Sequence, residues 1–239
     1  MKIKKRNFEN YLKFGHKRKF IHEFIYKKIL NKIKDKNKKT LWDIGCGNGS
    51  FLQYLNDVSE FKLFGSETDK LQLDFCKKNF KFSNFGYDDI TKLPNKRLKE
   101  HADIICACGV NQIFDDHPKI IKNELARLKK GGQIILQGIF CSEDVDVLLK
   151  YKIFDKNIKT KNFTSGWNLF SISSTKEMLI KAGAKNVKIE RVIFPKSLTV
   201  KPNSQDQIRS FTFKKDGKIE FKNILPILQR NYVISAIKK

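Results

Sequence analysis

The apolar positions of the chain change period along its length. Between Arg18 and Ile33, residues Phe20, Ile21, Phe24, Ile25, Ile29 and Ile33 recur at helical spacing with lysines opposite, which predicts an amphipathic helix. The polar run KDKNKK after it predicts a solvated linker. Short runs rich in β-branched and aromatic residues then alternate with helical patterns. TLWDI, FKLFGSE, FSNFGYD, ADIICAC and QIILQGIF read as strands. The stretch after Gly49, KLQLDFCKKN and PKIIKNELARLKK read as helices, the last ended by a Gly-Gly break. This alternation argues for a doubly wound, mostly parallel sheet covered by helices. Towards the C-terminus the pattern becomes a glycine-closed helix, TKEMLIKAGA, a strand, KNVKIERVIF, and a hairpin, RSFTFKKDGKIEF, with Asp216-Gly217 at its turn. NYVISAIKK reads as a final strand, so an antiparallel C-terminal edge is expected. The natural division is a basic N-terminal helical segment over 1–39 and one α/β domain over 40–239.

Charge changes this picture in one respect. The chain carries a formal net charge of +24, and fifteen Lys or Arg against Glu9, Glu23 and Asp35 place +12 of it in the first forty residues. Forty-two lysines against seven arginines fit a composition bias; the same excess also fits a polyanionic partner. The first residues are basic without a continuous apolar run, which is not the pattern of a signal peptide. No run approaches a membrane span. Five scattered cysteines suit a reducing, cytoplasmic setting. Cys106 and Cys108 share a strand face, but no second pair completes a metal site, so no metal is expected.

The chemistry concentrates in LWDIGCGNGSFLQYL, which reads as strand, glycine turn and helix. No Gly-Lys-Ser/Thr follows, so the turn is not a P-loop. Its glycines, Gly45, Gly47 and Gly49, are spaced G-x-G-x-G and not G-x-G-x-x-G. Asp43 precedes them. A carboxylate 4 Å from a phosphate charge would cost about 4 kcal/mol at an effective dielectric near 20. A ligand bearing an ammonium and a sulfonium tolerates that acid, and bare glycines permit its close approach. The turn therefore fits S-adenosylmethionine better than NAD.

DIGCGNG resembles the first motif of the class I S-adenosylmethionine-dependent methyltransferases, and the agreement continues through Phe140. LFGSETD resembles the end of the family's second strand, which implies that Glu67 binds the ribose hydroxyls. YDDITKLP resembles the third-strand motif and implies Asp89 on the adenine amino group, with Ile90 against the ring; Asp88 is the alternative to Asp89. ADIICACGVNQIFDD followed by ELARLKKGGQIIL resembles the fourth strand, its substrate loop and the next helix and strand. Cys108 then falls beside the methionine part of the cofactor, or is small core filling. The resemblance implies a Rossmann-like, seven-stranded sheet with an N-terminal helical lid, binding cofactor through Asp43, Gly45, Gly47, Glu67, Asp89, Ile90 and Cys108. Arg18 or Lys19 lies where relatives sometimes hold the cofactor carboxylate.

The acceptor is expected beyond Gly109–Phe114, under the N-terminal helix and against FTSGWNLFS. His117 is a tempting base, yet DDHP places Asp116 or His117 as a helix cap. Relatives often hold a histidine where this chain has Gln112, which leaves the base unassigned. Trp167 and Phe170 are candidates for the pocket wall or for the core. No [D/N]-P-P-[Y/F] follows the fourth strand and no Pro-Cys occurs, which counts against nucleobase methylation. The sequence thus predicts a methyltransferase for a small polar, anionic metabolite such as a nucleotide-linked or phosphorylated sugar or surface-polymer precursor. The alternatives are an RNA or ribosomal methyltransferase with a basic arm, and a non-catalytic cofactor-binding accessory subunit.

Overall fold

The computed structural model describes residues 19–30, 39–96, 98–154, 161–194, 211–215, 218–222 and 228–239. Strand β1 (Thr40–Ile44) sits between β2 (Lys62–Ser66) and β4 (Ala102–Cys108), parallel to both, and is buried over four of its five residues. Leu41, Trp42 and Ile44 supply the apolar side chains that a strand covered on two faces requires, with Asp43 the buried exception. β3 (Asn84–Gly86) extends the sheet beyond β2, and β5 (Leu128–Cys141) beyond β4, all parallel. The last strand, β11 (Leu228–Lys238), runs antiparallel against β5 from Gln133 to Cys141. β8 (Ala184–Arg191) pairs antiparallel with β11 and so closes a seven-stranded core. The hairpin of β9 (Phe211–Lys215) and β10 (Lys218–Lys222) adds to the start of β11. Its Lys215–Lys218 pairing brackets the expected turn, whose residues Asp216 and Gly217 lie outside the described residues.

Two apolar clusters cover the faces of the sheet. On one, α1 (Phe20–Leu30) and α2 (Ser50–Val58) bring Ile25, Ile29, Phe51, Leu52 and Leu55 against Leu41, Ile104 and Ile135. On the other, α4 (His117–Arg127) and α5 (Ile172–Lys181) pack Ile120, Ile121, Leu125 and Leu179 against Trp42, Ile105 and Ile134. α3 (Lys70–Asn79) follows β2 and buries Leu73 and Cys76. The predicted stripe of the first helix centres on Ile25 and Ile29, while Phe20 sits at its rim against Phe24 and Phe194. Ile33 and the expected linker lie outside the described residues.

The Gly-Gly break proves to be a bulge within a strand. β5 begins at Leu128, opposite Ala102, shifts register, and resumes at Gln133 opposite Ile104. Gly131 takes φ 75°, a conformation that lets the chain absorb extra residues without leaving the sheet. The helix of the C-terminal half starts earlier than TKEM because the Ser171 hydroxyl caps it by accepting from Ser174 N–H. Among the described residues no helix is long and apolar enough to cross a membrane.

A polar anchor ties α4 to the loop after β3. Arg127, fully buried at the end of α4, grips Asp88 through Nε at 2.7 Å and Nη2 at 2.8 Å. It also donates to the Asn123 and Lys92 carbonyls and lies over the Trp42 ring. Asn123 in turn donates to the Ile90 carbonyl at 2.8 Å. The loop after β3 is thereby held onto α4 at both ends of its Asp-Asp-Ile core. Removing one partner of a buried pair leaves the other charge uncompensated, at about 3–5 kcal/mol. Arg127→Ala is expected to lose stability of that order in urea denaturation. The double variant Arg127→Met/Asp88→Leu should recover most of it.

Candidate cofactor and acceptor cleft

The cleft opens at the carboxyl ends of β1, β2 and β4, where a doubly wound sheet places its ligands. At its floor the turn after β1 takes φ 65° at Gly45 and 56° at Gly47. A Cβ on Gly45 would come within 2.7 Å of a Val110 methyl. That position therefore needs glycine for both its backbone and its neighbour. Cys46 N–H donates to the Ser66 carbonyl at 2.9 Å, which continues the β1–β2 ladder into the turn.

Glu67, one residue beyond β2, joins this turn to the next. Its Oε2 accepts from Gly47 N–H at 2.9 Å, and its Oε1 accepts from the Thr68 and Asp69 N–H groups at 2.8 and 3.0 Å. Asp89, in the loop after β3, accepts from Thr91 N–H and hydroxyl at 3.0 and 2.7 Å. The Thr91 hydrogen bond holds its carboxyl below the usual range. Asp88 is committed to Arg127 and its side chain is 8% exposed, whereas that of Asp89 is 25% exposed. Both acids border the cleft, but Asp88 spends both oxygens on Arg127 and Asp89 is the more exposed of the two.

Gly45, Gly47, Glu67, Asp89, Ile90 and Cys108 all line one cleft of about 300 Å³. Thr68 and Gln72 line it at the β2–α3 corner, and Val110, Ile113, Phe114 and Trp167 at the opposite end. Asp43 instead faces an adjoining recess of about 170 Å³, bounded also by Gly45, Gly47 and Cys108 and by Lys19 and His22 at the α1 end. The seven sequence candidates thus surround two connected hollows. Arg18 lies outside the described residues.

The electrostatics of the recess follow from burial. Asp43 is 3% exposed, and burial, reinforced by the Glu67 charge, pushes its carboxyl up to about 8. Burial lowers the Lys19 ammonium and takes His22 to about 4. The Cys108 thiol is pushed up by burial and by Asp43, so it stays a neutral thiol. Among the described residues no group of three or more His, Cys, Asp or Glu could hold a metal ion.

Several open alternatives close here. Asp116, not His117, caps α4, accepting from Lys119 N–H at 3.1 Å. His117 is fully buried, stacks on Phe170 at 4.0 Å between centroids, and burial takes it to about 4, so it is a core residue and no base for the cleft. Phe170 belongs to the core with it, while Trp167 lines the cleft. Gln112 is buried and donates to the Ile139 carbonyl at 3.3 Å. The reading from sequence missed Thr68, Gln72 and the Arg127 anchor. Thr68 follows Glu67 directly and Gln72 lies five residues beyond it in the first turn of α3, so their place beside the motif was the available signal.

A family model for a methyltransferase domain matches residues 14–189. The chain belongs to this methyltransferase-domain family, and its fold is that of the class I S-adenosylmethionine-dependent methyltransferases. It is similar to the tRNA U34 carboxymethyltransferase of Campylobacter jejuni strain 81-176, with 27% identity over 180 residues, 71% of this chain and 56% of the relative. The chain thus spans about half the length of the curated relatives it matches. In fold it is similar to a SAM-dependent methyltransferase from Archaeoglobus fulgidus, with TM-score 0.56, 16% identity, and coverage of 97% of this chain and 99% of that one. It is also similar to the N-terminal domain of EvdMO1 crystallised with SAH bound, with TM-score 0.58, 9% identity, and coverage of 91% and 81%.

The raised Asp43 carboxyl has a direct consequence for stability. The folded chain holds a proton that the unfolded chain releases near pH 3.8, so the site's contribution is complete below that value and is lost as pH rises to about 8. Wild type should lose stability relative to Asp43→Asn across this window, by up to about 1.4 kcal/mol per pH unit. Denaturant titrations of both proteins at pH 5, 6, 7 and 8 measure it; parallel curves would contradict the assignment.

Proposed function

We propose that the chain transfers the methyl group of S-adenosylmethionine to a small polar, anionic acceptor, such as a nucleotide-linked or phosphorylated sugar or a surface-polymer precursor. The carrying observation is the lining of the far end of the cleft. Cys108, Gly109, Val110, Ile113, Phe114 and Trp167 form it, and among the described residues there it has no carboxylate, imidazole or ammonium. A neutral hydroxyl acceptor would need a base, whereas an acceptor atom that is already ionised needs none. A net charge of +24 supports the capture of such an anion.

The residues present fit the cofactor. Glu67 stands at the strand tip where two ribose hydroxyls could replace backbone donors on its oxygens. Asp89 and Ile90 offer a carboxylate and an apolar surface for adenine, and Asp43 and Lys19 face the recess for the charged methionine end. An approaching ammonium would favour the ionised form of Asp43, whose proton would pass to solvent. When bound, S-adenosylmethionine supplies an electrophilic methyl group on a sulfonium. The protein's part is to align the acceptor and exclude water, and alignment can supply about 7–11 kcal/mol of a barrier.

A second reading, transfer to a tRNA base, is favoured by the relatives named above and by the +12 of the first forty residues. Salt separates the two. Tracking a single strand through six phosphates gives a slope of log K on log salt of roughly −4, against about −1 for a pocket holding one or two phosphates. Labelled-cofactor turnover with a fractionated extract of the source cells should follow the small-molecule fraction and persist near 0.2 M salt. Salt-resistant labelling of the RNA fraction would reverse the ranking. Calorimetry should find S-adenosylhomocysteine bound and NAD not bound. Charged hydrogen bonds contribute about 1.5–3 kcal/mol each, so Glu67→Ala should weaken that binding at least about tenfold. An unchanged dissociation constant would leave Glu67 a surface acid.

A further inference from the structure

Residues 142–154 lead away from the end of β5, and residues 161–171 return to α5 past the acceptor end of the cleft. At the base of this stretch Val147 and Leu169 exchange backbone hydrogen bonds of 2.8 and 2.9 Å. Farther out β6 (Lys150–Tyr151) pairs with β7 (Thr164–Ser165). Trp167 follows β7 and reaches the cleft, where its ring would lie 3.4 Å from a Cβ on Gly109.

What holds this stretch to the loop after β4 is a compact set of polar contacts. Asn168 is 1% exposed and uses its whole amide. Its Nδ2 donates to the Phe114 carbonyl at 2.9 Å and to Asp115 Oδ1 at 3.0 Å, and its Oδ1 accepts from Leu149 N–H at 2.9 Å. Its backbone N–H donates to the Gln112 carbonyl at 2.8 Å. Asp115 also accepts from the Ser165 hydroxyl at 3.1 Å and pairs with Lys150. The Lys150 and Asn168 contacts hold the Asp115 carboxyl below the usual range.

We propose that Asn168 and Asp115 are positioning residues that clasp this stretch to the loop after β4 and so hold Trp167 as the wall against which the acceptor aligns. The proposal rests on the acceptor end assigned above. Neither residue lines the cleft, so both act through Trp167. Only an amide meets the demands on residue 168, donating to a carbonyl and a carboxylate while accepting from an N–H. A carboxylate there would oppose Asp115. Alignment is the main contribution left to the protein when the cofactor carries the electrophile, so a loosened wall should cost acceptor use without costing cofactor affinity.

The test uses the full chain and its two tryptophans. Trp42 is fully buried, so acrylamide quenching of indole fluorescence reports Trp167, with Trp167→Phe as the baseline. Asn168→Asp is expected to raise quenching and to raise the half-saturating amount of acceptor fraction about fivefold, the equivalent of one net hydrogen bond. Its S-adenosylhomocysteine dissociation constant should stay at the wild-type value. Asp115→Asn/Asn168→Asp, which restores a donor–acceptor pair, should return quenching towards wild type. Should Asn168→Asp fail to fold, Asp115→Asn alone, at a partly exposed site, must raise quenching. Wild-type quenching in the folded variants, no recovery in the double variant, or parallel loss of cofactor affinity would overturn the proposal. Failure of the wild type to bind S-adenosylhomocysteine would instead overturn the proposed function, since the quenching readout does not depend on it.

Discussion

The hydrogen bond from Gly47 N–H to the Glu67 carboxylate ties together the two strand ends on which the cleft depends. A carboxylate that accepts three backbone N–H groups across two turns fixes the glycine turn relative to the start of α3. Such charge-assisted bonds are about twice as strong as neutral ones. The arrangement also places two acids near each other, since the Glu67 charge adds to the burial that keeps Asp43 protonated. A cationic ligand would relieve this repulsion and an anionic one would increase it.

The second constraint comes from the other face of the sheet. Arg127 is buried with Asp88 and the Trp42 ring, and Asn123 holds the Ile90 carbonyl. These contacts carry no ligand themselves. They orient a loop in which two identical side chains stand side by side at the cleft, one bound to Arg127 and the other more exposed. The buried Glu124, pushed up to about 8 by burial and bonded to Asn111, extends the same polar layer towards the loop after β4. Rigidity at the Asp89–Ile90 side of the cleft is therefore supplied from α4.

The end of the cleft proposed for the acceptor is organised differently. Its lining is apolar and aromatic, its wall comes from a stretch far along the chain, and its polar contacts lie behind that wall. In the proposed function, cofactor recognition rests on charged groups within the cleft and acceptor alignment on shape. This division suits a reaction in which the electrophile arrives preformed.

Much of the architecture was legible in local pattern. The TLWDI, KLQLDFCKKN and ADIICAC segments coincide with β1, α3 and β4, because period and punctuation are properties of neighbouring residues. The glycine turn was legible for the same reason, since spacing and a preceding acid suffice to tell which ligands it tolerates. What only the tertiary structure decided depends on residues distant in sequence. Asp88 and Asp89 are chemically equivalent until Arg127, 39 positions away, takes one of them. His117 is a potential base until Phe170 buries it, and Phe170 and Trp167 are alike until one enters the core. The Gly-Gly pair reads as a stop until Ala102 offers the residues before it a partner strand. Propensity is local, whereas burial and pairing are set by whatever the fold brings alongside.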